Sequence, residues 1–383
     1  MKKMITILAS IVLVIALSGS ALAAGTFVAL TELGQSFFPG QISANYDGTV
    51  FGGNWGGPFY YTHDDGVYYF DDGEHGYIST WNITGDGVTM PLTFANAAGE
   101  DQAGYFNMTD GFVHIPPTAD GAPCGSSLSS GYAMNFDGTM GTGLQWIECS
   151  AVAYKWTMGG DTVNLGTSGN SSRGTGISGD GSTVVGFDEH PEFGNRRAAI
   201  WTDDIVGPQL IINTEDPGEC YDASYDGSMI CGTWNDAAFY WDTNVGAVSL
   251  GTLPGDEGYG SVALSMSDDG KVVGMSGNPF WSVPRGFIWT PADGMMLFVD
   301  YLVQEGVAIP EDLNVYSVTS VSGDGRTFCG AYTNADFFLE AFIVLLDDVV
   351  SIDVDTDEEV EVDNSTRVSK LDGAFPNPFN PMT

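Results

Sequence analysis

Positive charge is the scarcest commodity in this chain. Its 383 residues carry 11 Lys and Arg against 50 Asp and Glu, a formal charge of −39. Nucleic acid and anionic membranes are bound by clustered basic side chains, so neither is expected as a partner. Histidine is nearly as sparse, at His63, His75, His114 and His190. His63 in HDDG and His75 in EHG lie in one turn-rich stretch, where solvated turns account for them better than a metal site does. The five cysteines contain no CxxC, which removes a zinc ribbon and a thioredoxin-like site. Proximity in sequence pairs Cys124 with Cys149 and Cys220 with Cys231, leaving Cys329 free. GxSxG, HExxH and phosphate-loop motifs are missing.

Long apolar runs are missing too, except at the start. Met1-Lys2-Lys3 is basic, residues 5–17 are apolar, and Ala21-Leu22-Ala23 has the small-x-small form of a cleavage site. Residues 1–23 therefore read as a signal peptide, and no cysteine follows to take a lipid. Export to the extracellular space or outer cell surface is expected, with no membrane span in the mature chain.

What the chain does have is glycine, 52 in all, and aromatics at 12%. Asp-Gly recurs before a short apolar run at Asp47, Asp86, Asp137, Asp180, Asp226, Asp269 and Asp324, at steps of 39 to 55 residues. Asp tolerates the start of a tight turn and Gly supplies its positive φ. A second glycine follows in six of the seven units, at Gly53, Gly143, Gly186, Gly232, Gly274 and Gly330. Such a glycine either lets another backbone come close or ends the strand. The unit at Asp86 lacks it and is the weakest copy. Each unit continues through a variable loop to an aromatic strand, a turn and a fourth strand. Trp156, Trp201, Trp241 and Trp289 stand on the aromatic strand and are expected to bury large areas between sheets. Four strands per unit at this period predict an all-β fold, a β-propeller of seven four-stranded blades, with six or eight as the alternatives. The last unit ends at AFIVLL without a fourth strand, while FVALTELG near the start reads as a spare one. Residues 27–33 are expected to complete the last blade beside residues 341–346, a Velcro closure that removes the open seam.

ISGDGSTVVG, AAIWT and VSLGTLPGDEGYGSVALSMSDDGKVVG resemble the HAF-type extracellular repeat. The resemblance spans roughly residues 27–348 and implies a secreted bacterial propeller. The His of that family's His-Ala-Phe step is replaced here, as in Ala198-Ala199-Ile200 and Glu340-Ala341-Phe342. The family brings no catalytic residues. On this reading the propeller occupies residues 24–348 and an acidic linker 349–370. Residues 371–383 hold Pro376-Asn377-Pro378-Phe379-Asn380-Pro381, which resembles the opening of the immunoglobulin-like C-terminal sorting domain of type IX secretion. The secretion machinery is the partner this implies. Thirteen residues cannot bury a sandwich core, so the chain is expected to be a fragment of a longer reading frame.

Candidate ligand contacts are few. His190, Arg196 and Arg197 fall in one insertion, FDEHPEFGNRR, and suggest either a carboxylate- or sugar-acid-binding loop or a local salt-bridged one. Trp281 is either a sugar-stacking platform or packing. DVDTDEEVEVD superficially resembles a calcium loop but lacks its central Gly, and fits a repulsive linker better; no other cofactor is suggested. The repeated Ser-x-Asp-Gly lacks the residue that separates Asp from Gly in the sialidase Asp-box, so it reads as turns. The expected function is a non-enzymatic binding or interaction module for a glycan or surface protein, with loops at one end of the ring carrying specificity. The alternative is a polysaccharide hydrolase or lyase on the same scaffold, a reading by fold analogy.

Overall fold

The computed structural model describes residues 25–70, 78–203, 205–212, 215–277 and 283–346. These form seven antiparallel sheets, each one repeat unit, arranged as a seven-bladed propeller. Within a blade the chain runs from an inner strand through the Asp-Gly turn to a second strand, then through a loop to a third strand and a turn to the outer strand. All seven Asp-Gly glycines have φ between +68° and +84°, the left-handed region where an L side chain is strained. The residue two before each Asp completes the turn. Ser178, Ser224, Ser267 and Ser322 donate their hydroxyls to the Asp carboxylates of their own turns. Asn45 and Asn135 instead accept backbone N–H bonds across it. The motif is a turn, as expected.

The second glycine has a steric duty. A Cβ at Gly53, Gly143, Gly186, Gly232, Gly274 or Gly330 would overlap the carbonyl oxygen of Gln41, Ser130, Arg173, Glu219, Val262 or Ser317, respectively. Each of those carbonyls belongs to the inner strand of the same blade. In blades three to seven the inner strand is bulged where it crosses this glycine. Close backbone approach, not strand termination, explains the repeat. Blade two is the exception that proves the steric point. Leu92, fully buried, stands where the other units have glycine, and Pro91 before it has no N–H to give. Its ladder has three strands, Thr89–Ala95, Asp101–Asn107 and Gly111–His114. The inner position is reduced to a single bridge between Ser79 and Thr93.

Between the blades lie Phe51, Phe59, Phe94, Phe239, Phe287, Phe328, Phe342 and Trp156, all essentially inaccessible. Trp201 is buried as expected, but Trp241 and Trp289 are only partly so. The phenylalanines Phe239 and Phe287, two residues earlier on the same strands and therefore on the same face, take the deep position, with Trp241 and Trp289 packed against the same clusters.

The ring closes through Gly25–Ala29, which pairs antiparallel with the last strand, Leu339–Leu346, in the register Gly25 to Leu346 and Ala29 to Phe342. The closing strand starts two residues earlier than the sequence suggests, and Thr31–Leu33 turns into a short 3-10 segment. Phe27 stacks on Phe342 at 5.4 Å. Among the described residues there is one short α-helix, Phe298–Gln304, in the connection from blade six to blade seven. It buries Phe298, Tyr301 and Leu302 against the last sheet.

Cys124 and Cys149 form a disulfide, with Cα atoms 5.1 Å apart. The expected Cys220–Cys231 bridge is absent: both are free and buried, as is Cys329. Cys220 packs with Val185, Ala198 and Phe239, whereas Cys231 packs with Ala263 and Phe287. They point to opposite faces of blade five, so proximity along the hairpin misleads.

Two measurements check this architecture. Gly232→Ala is expected to cost about 1–3 kcal/mol, because a backbone carbonyl must move; an unchanged urea midpoint would contradict the steric argument. Deleting residues 25–29 should lower the melting temperature sharply, and unchanged melting would sink the closure.

Candidate functional site

The inner strands line a central channel, and the Asp-Gly turns decide which end of it is open. The residue before each Asp hydrogen-bonds around the axis. Tyr46 N–H donates to the Gly85 carbonyl, Asp86 to Phe136, Phe136 to Gly179, Asp180 to Tyr225, Asp268 to Gly323, and Asp324 to Tyr46, at 2.8–3.4 Å. The remaining junction is Tyr225 N–H to the Asp268 carboxylate, 2.7 Å. All seven blades are therefore joined at this end. A second tier lies one layer deeper, where Ile83, Met266, Val321 and Ala44 donate N–H bonds to Ser43, Asp222, Ser265 and Ser320 of the preceding blade.

Three side chains of the turn ring, Tyr46, Phe136 and Tyr225, meet on the axis with ring centroids 5.4–6.2 Å apart. Each lies over a glycine of the preceding blade, Gly323, Gly85 and Gly179, where a Cβ would strike the ring. Tyr46 also donates its hydroxyl to Asp268 at 2.8 Å. That bond, together with burial, pushes its pKa up to about 12. These aromatics plug the channel.

Above the plug is a cavity of about 280 Å³. Asp222 reaches it from the wall, with burial raising its carboxyl and N–H bonds from Met266 and Ala223 partly opposing that rise. Higher up, five residues before six of the seven turn Asp residues, come Trp81, Tyr132, Thr175, Tyr221, Leu264 and Thr319, while Ile42 at the seventh packs into the core. Trp81 is 45% exposed and sits 6.1 Å from the Tyr132 ring. Burial, aided by the Glu219 charge, pushes Tyr221 up to about 12, so it stays a neutral donor.

One wall of the mouth is built of charge. Glu219, with a side chain 3% exposed, receives Arg173 Nη2, Arg196 Nη1 at 2.9 Å and the Thr175 hydroxyl at 3.0 Å. Burial works against the Arg173 charge, and Glu219 more than offsets it, raising its pKa. Both guanidiniums lie over the Phe187 ring, Arg173 at 5.1 Å and Arg196 at 4.3 Å from its centroid. Arg173 also covers Tyr132 at 4.9 Å.

The sequence candidates divide at this point. Arg196 joins the mouth. Arg197 turns to the other face of its strand, where it pairs with the inaccessible Asp188 at 3.0 Å, beside Ser168. His190 is largely buried, bonded to Glu215 at 2.8 Å and stacked on Phe193. Arg197 and His190 therefore serve the salt-bridged loop. Trp281, His75, residues 353–363 and the 376–381 motif lie outside the described residues. Trp81, Tyr132, Arg173, Glu219 and Tyr221 were not singled out from sequence. The three aromatics share one offset before Asp-Gly, and Arg173 and Glu219 share another two residues further back, a signal visible once the inner strand is known to line the channel. Among the described residues no group of three His, Cys, Asp or Glu is placed to hold a metal ion, and no helix is long and apolar enough to cross a membrane.

No protein-family model and no curated protein matches the chain. Solved structures do. Puromycin hydrolase is 13% identical with TM-score 0.53, over 79% of this chain and 51% of that one. A prolyl endopeptidase is 10% identical with TM-score 0.52, over 80% and 48%. Oligogalacturonate lyase from Vibrio parahaemolyticus is 13% identical with TM-score 0.50, over 83% and 93%. The chain thus spans about half the length of the first two. At such identities the likeness concerns the propeller fold alone.

The plug end carries its own pH signature. Bonds from the Ser228 side chain and N–H hold Asp226 below the usual carboxylate range. A carboxylate depressed in the folded state contributes stability above its unfolded pKa, and that contribution is lost as pH falls through the folded value. The melting gap between wild type and Asp226→Asn is expected at pH 7 and should close below about pH 4; a gap independent of pH would refute this.

Proposed function

We propose that this protein is an exported, non-enzymatic binding module that takes its ligand at the unplugged mouth of the propeller channel. The observation that carries the reading is a cavity closed at one end and walled at the other by Trp81, Tyr132 and Tyr221, with polar Gln41, Asn82, Thr175 and Thr319 between them. Apolar faces with a few fixed polar groups are what a small-ligand or glycan site needs. The long connections between blades, and the loops joining second to third strands, lie at this same end, because antiparallel strands alternate direction. Export rests on the signal-peptide reading of residues 1–23. The HAF-type repeats support a secreted propeller, and the motif at 376–381 supports type IX secretion as the route.

The enzymatic reading, a hydrolase or lyase acting on polysaccharide, needs a carboxylate free to act on substrate. At the mouth, Glu219 is held by two arginines and Thr175, and Asp222 by two backbone N–H groups, which favours binding.

The purified chain is to be passed over a polysaccharide panel, scoring retention and released product together. Retention without product is expected. Trp81→Ala should weaken retention about tenfold, or about 1.4 kcal/mol, the scale on which truncating an aromatic anchor weakens a binding site. Product release, or full retention by the variant, would overturn the proposal.

A further inference from the structure

The composition of the mouth narrows the ligand. We infer that the cavity receives the end of a sugar chain bearing a carboxylate, held by Arg173, which lines it, and by Arg196, which stands beside Arg173 on the shared Glu219; this rests on the binding-module reading above. Two cations share one carboxylate at the upper wall, while Asp222 and Asp268, which also line the cavity, lie nearer the plug and already accept N–H and O–H donors. Each guanidinium carries several N–H donors, and Glu219 takes one from each. The rest of Arg196 is half exposed, and Arg173 is 19% exposed. Glu219 and the Phe187 ring hold both guanidiniums in place before any ligand arrives. The ordering cost is thus already met, and a planar fork suited to carboxylate is presented.

The remaining walls choose a sugar over a peptide terminus. Trp81, Tyr132 and Tyr221 offer flat faces to the apolar C–H faces of a pyranose. Gln41, Asn82, Thr175 and Thr319 offer hydroxyl partners. The aromatic plug prevents threading, so entry is end-on. The overall charge of −39 does not forbid an anion at this place. At physiological salt, charges beyond about 8 Å are largely screened, while the arginine pair acts at contact.

The test is calorimetric titration of the full chain with three short probes of equal length: an oligoglucuronate, its methyl ester and a neutral oligoglucoside. The free acid is expected to bind at least tenfold more tightly than its ester, the usual scale for a hydrogen bond to a charged group. Arg196→Gln should erase that difference while melting stays unchanged, since Arg173 still neutralises Glu219. Stoichiometry should follow the number of chain ends when longer oligoglucuronates are used. Equal binding of acid and ester, or preference for the neutral probe, would overturn this inference and leave the binding module standing. Stoichiometry that follows internal residues would overturn end-on entry. Arginine-dependent capture of a peptide with a free C-terminus, with no sugar bound, would overturn the sugar class. No binding by any sugar or peptide probe would remove both readings.

Discussion

The structure depends on a ring of hydrogen bonds between neighbouring Asp-Gly turns. Each turn is a local object, made by a carboxylate that accepts from its own turn and a glycine at positive φ. Once made, it presents a backbone N–H and C=O to the next blade at a fixed angle. Six such steps, and a seventh in which Tyr225 N–H reaches the Asp268 carboxylate, return to the start, with Asp324 reaching Tyr46. The rest follows from that closure. The inner strands are brought parallel to one axis, three aromatics meet on it, and the opposite end is left open. The inner strand can take its place only because a glycine in the second strand lets it lie close.

The repeat, the blade count, the closing strand and the weakness of the Asp86 unit were all legible in the sequence. They are written in short-range chemistry: a turn dipeptide, a missing side chain, a period of two. Even Leu92 in place of glycine could be read directly. The candidate site was far less legible. Arg173 and Glu219 are separated by nearly a full repeat, and their pairing exists only because blades four and five are neighbours in the ring. Arg196 and Arg197 look alike in sequence, yet strand alternation sends one to Glu219 and the other to Asp188. The cysteines teach the same lesson, since Cys220 and Cys231 are close along the chain but face different blades. The alternation of aromatic and glycine before successive Asp-Gly pairs was present to be read. It acquires meaning only when the seven positions are known to form a circle.

Cations are placed sparingly, and mostly on carboxylates that the fold has withdrawn from water. Arg285 holds Asp256, Arg197 holds Asp188, and Arg173 with Arg196 holds Glu219. Desolvating such pairs is expensive, and well-packed apolar groups would stabilise as much. What the pairs provide is position: each fixes a loop or strand end near the mouth-bearing face. The acidic remainder of the surface keeps the molecule soluble and deters self-association.

The closure also sets a direction. Gly25 and Leu346 are partners in the same ladder, and Leu346 lies beside Arg326, just after the last Asp-Gly turn. Entry to and exit from the propeller are therefore side by side at the plugged end. A ligand approaching the mouth thus meets neither end of the described propeller.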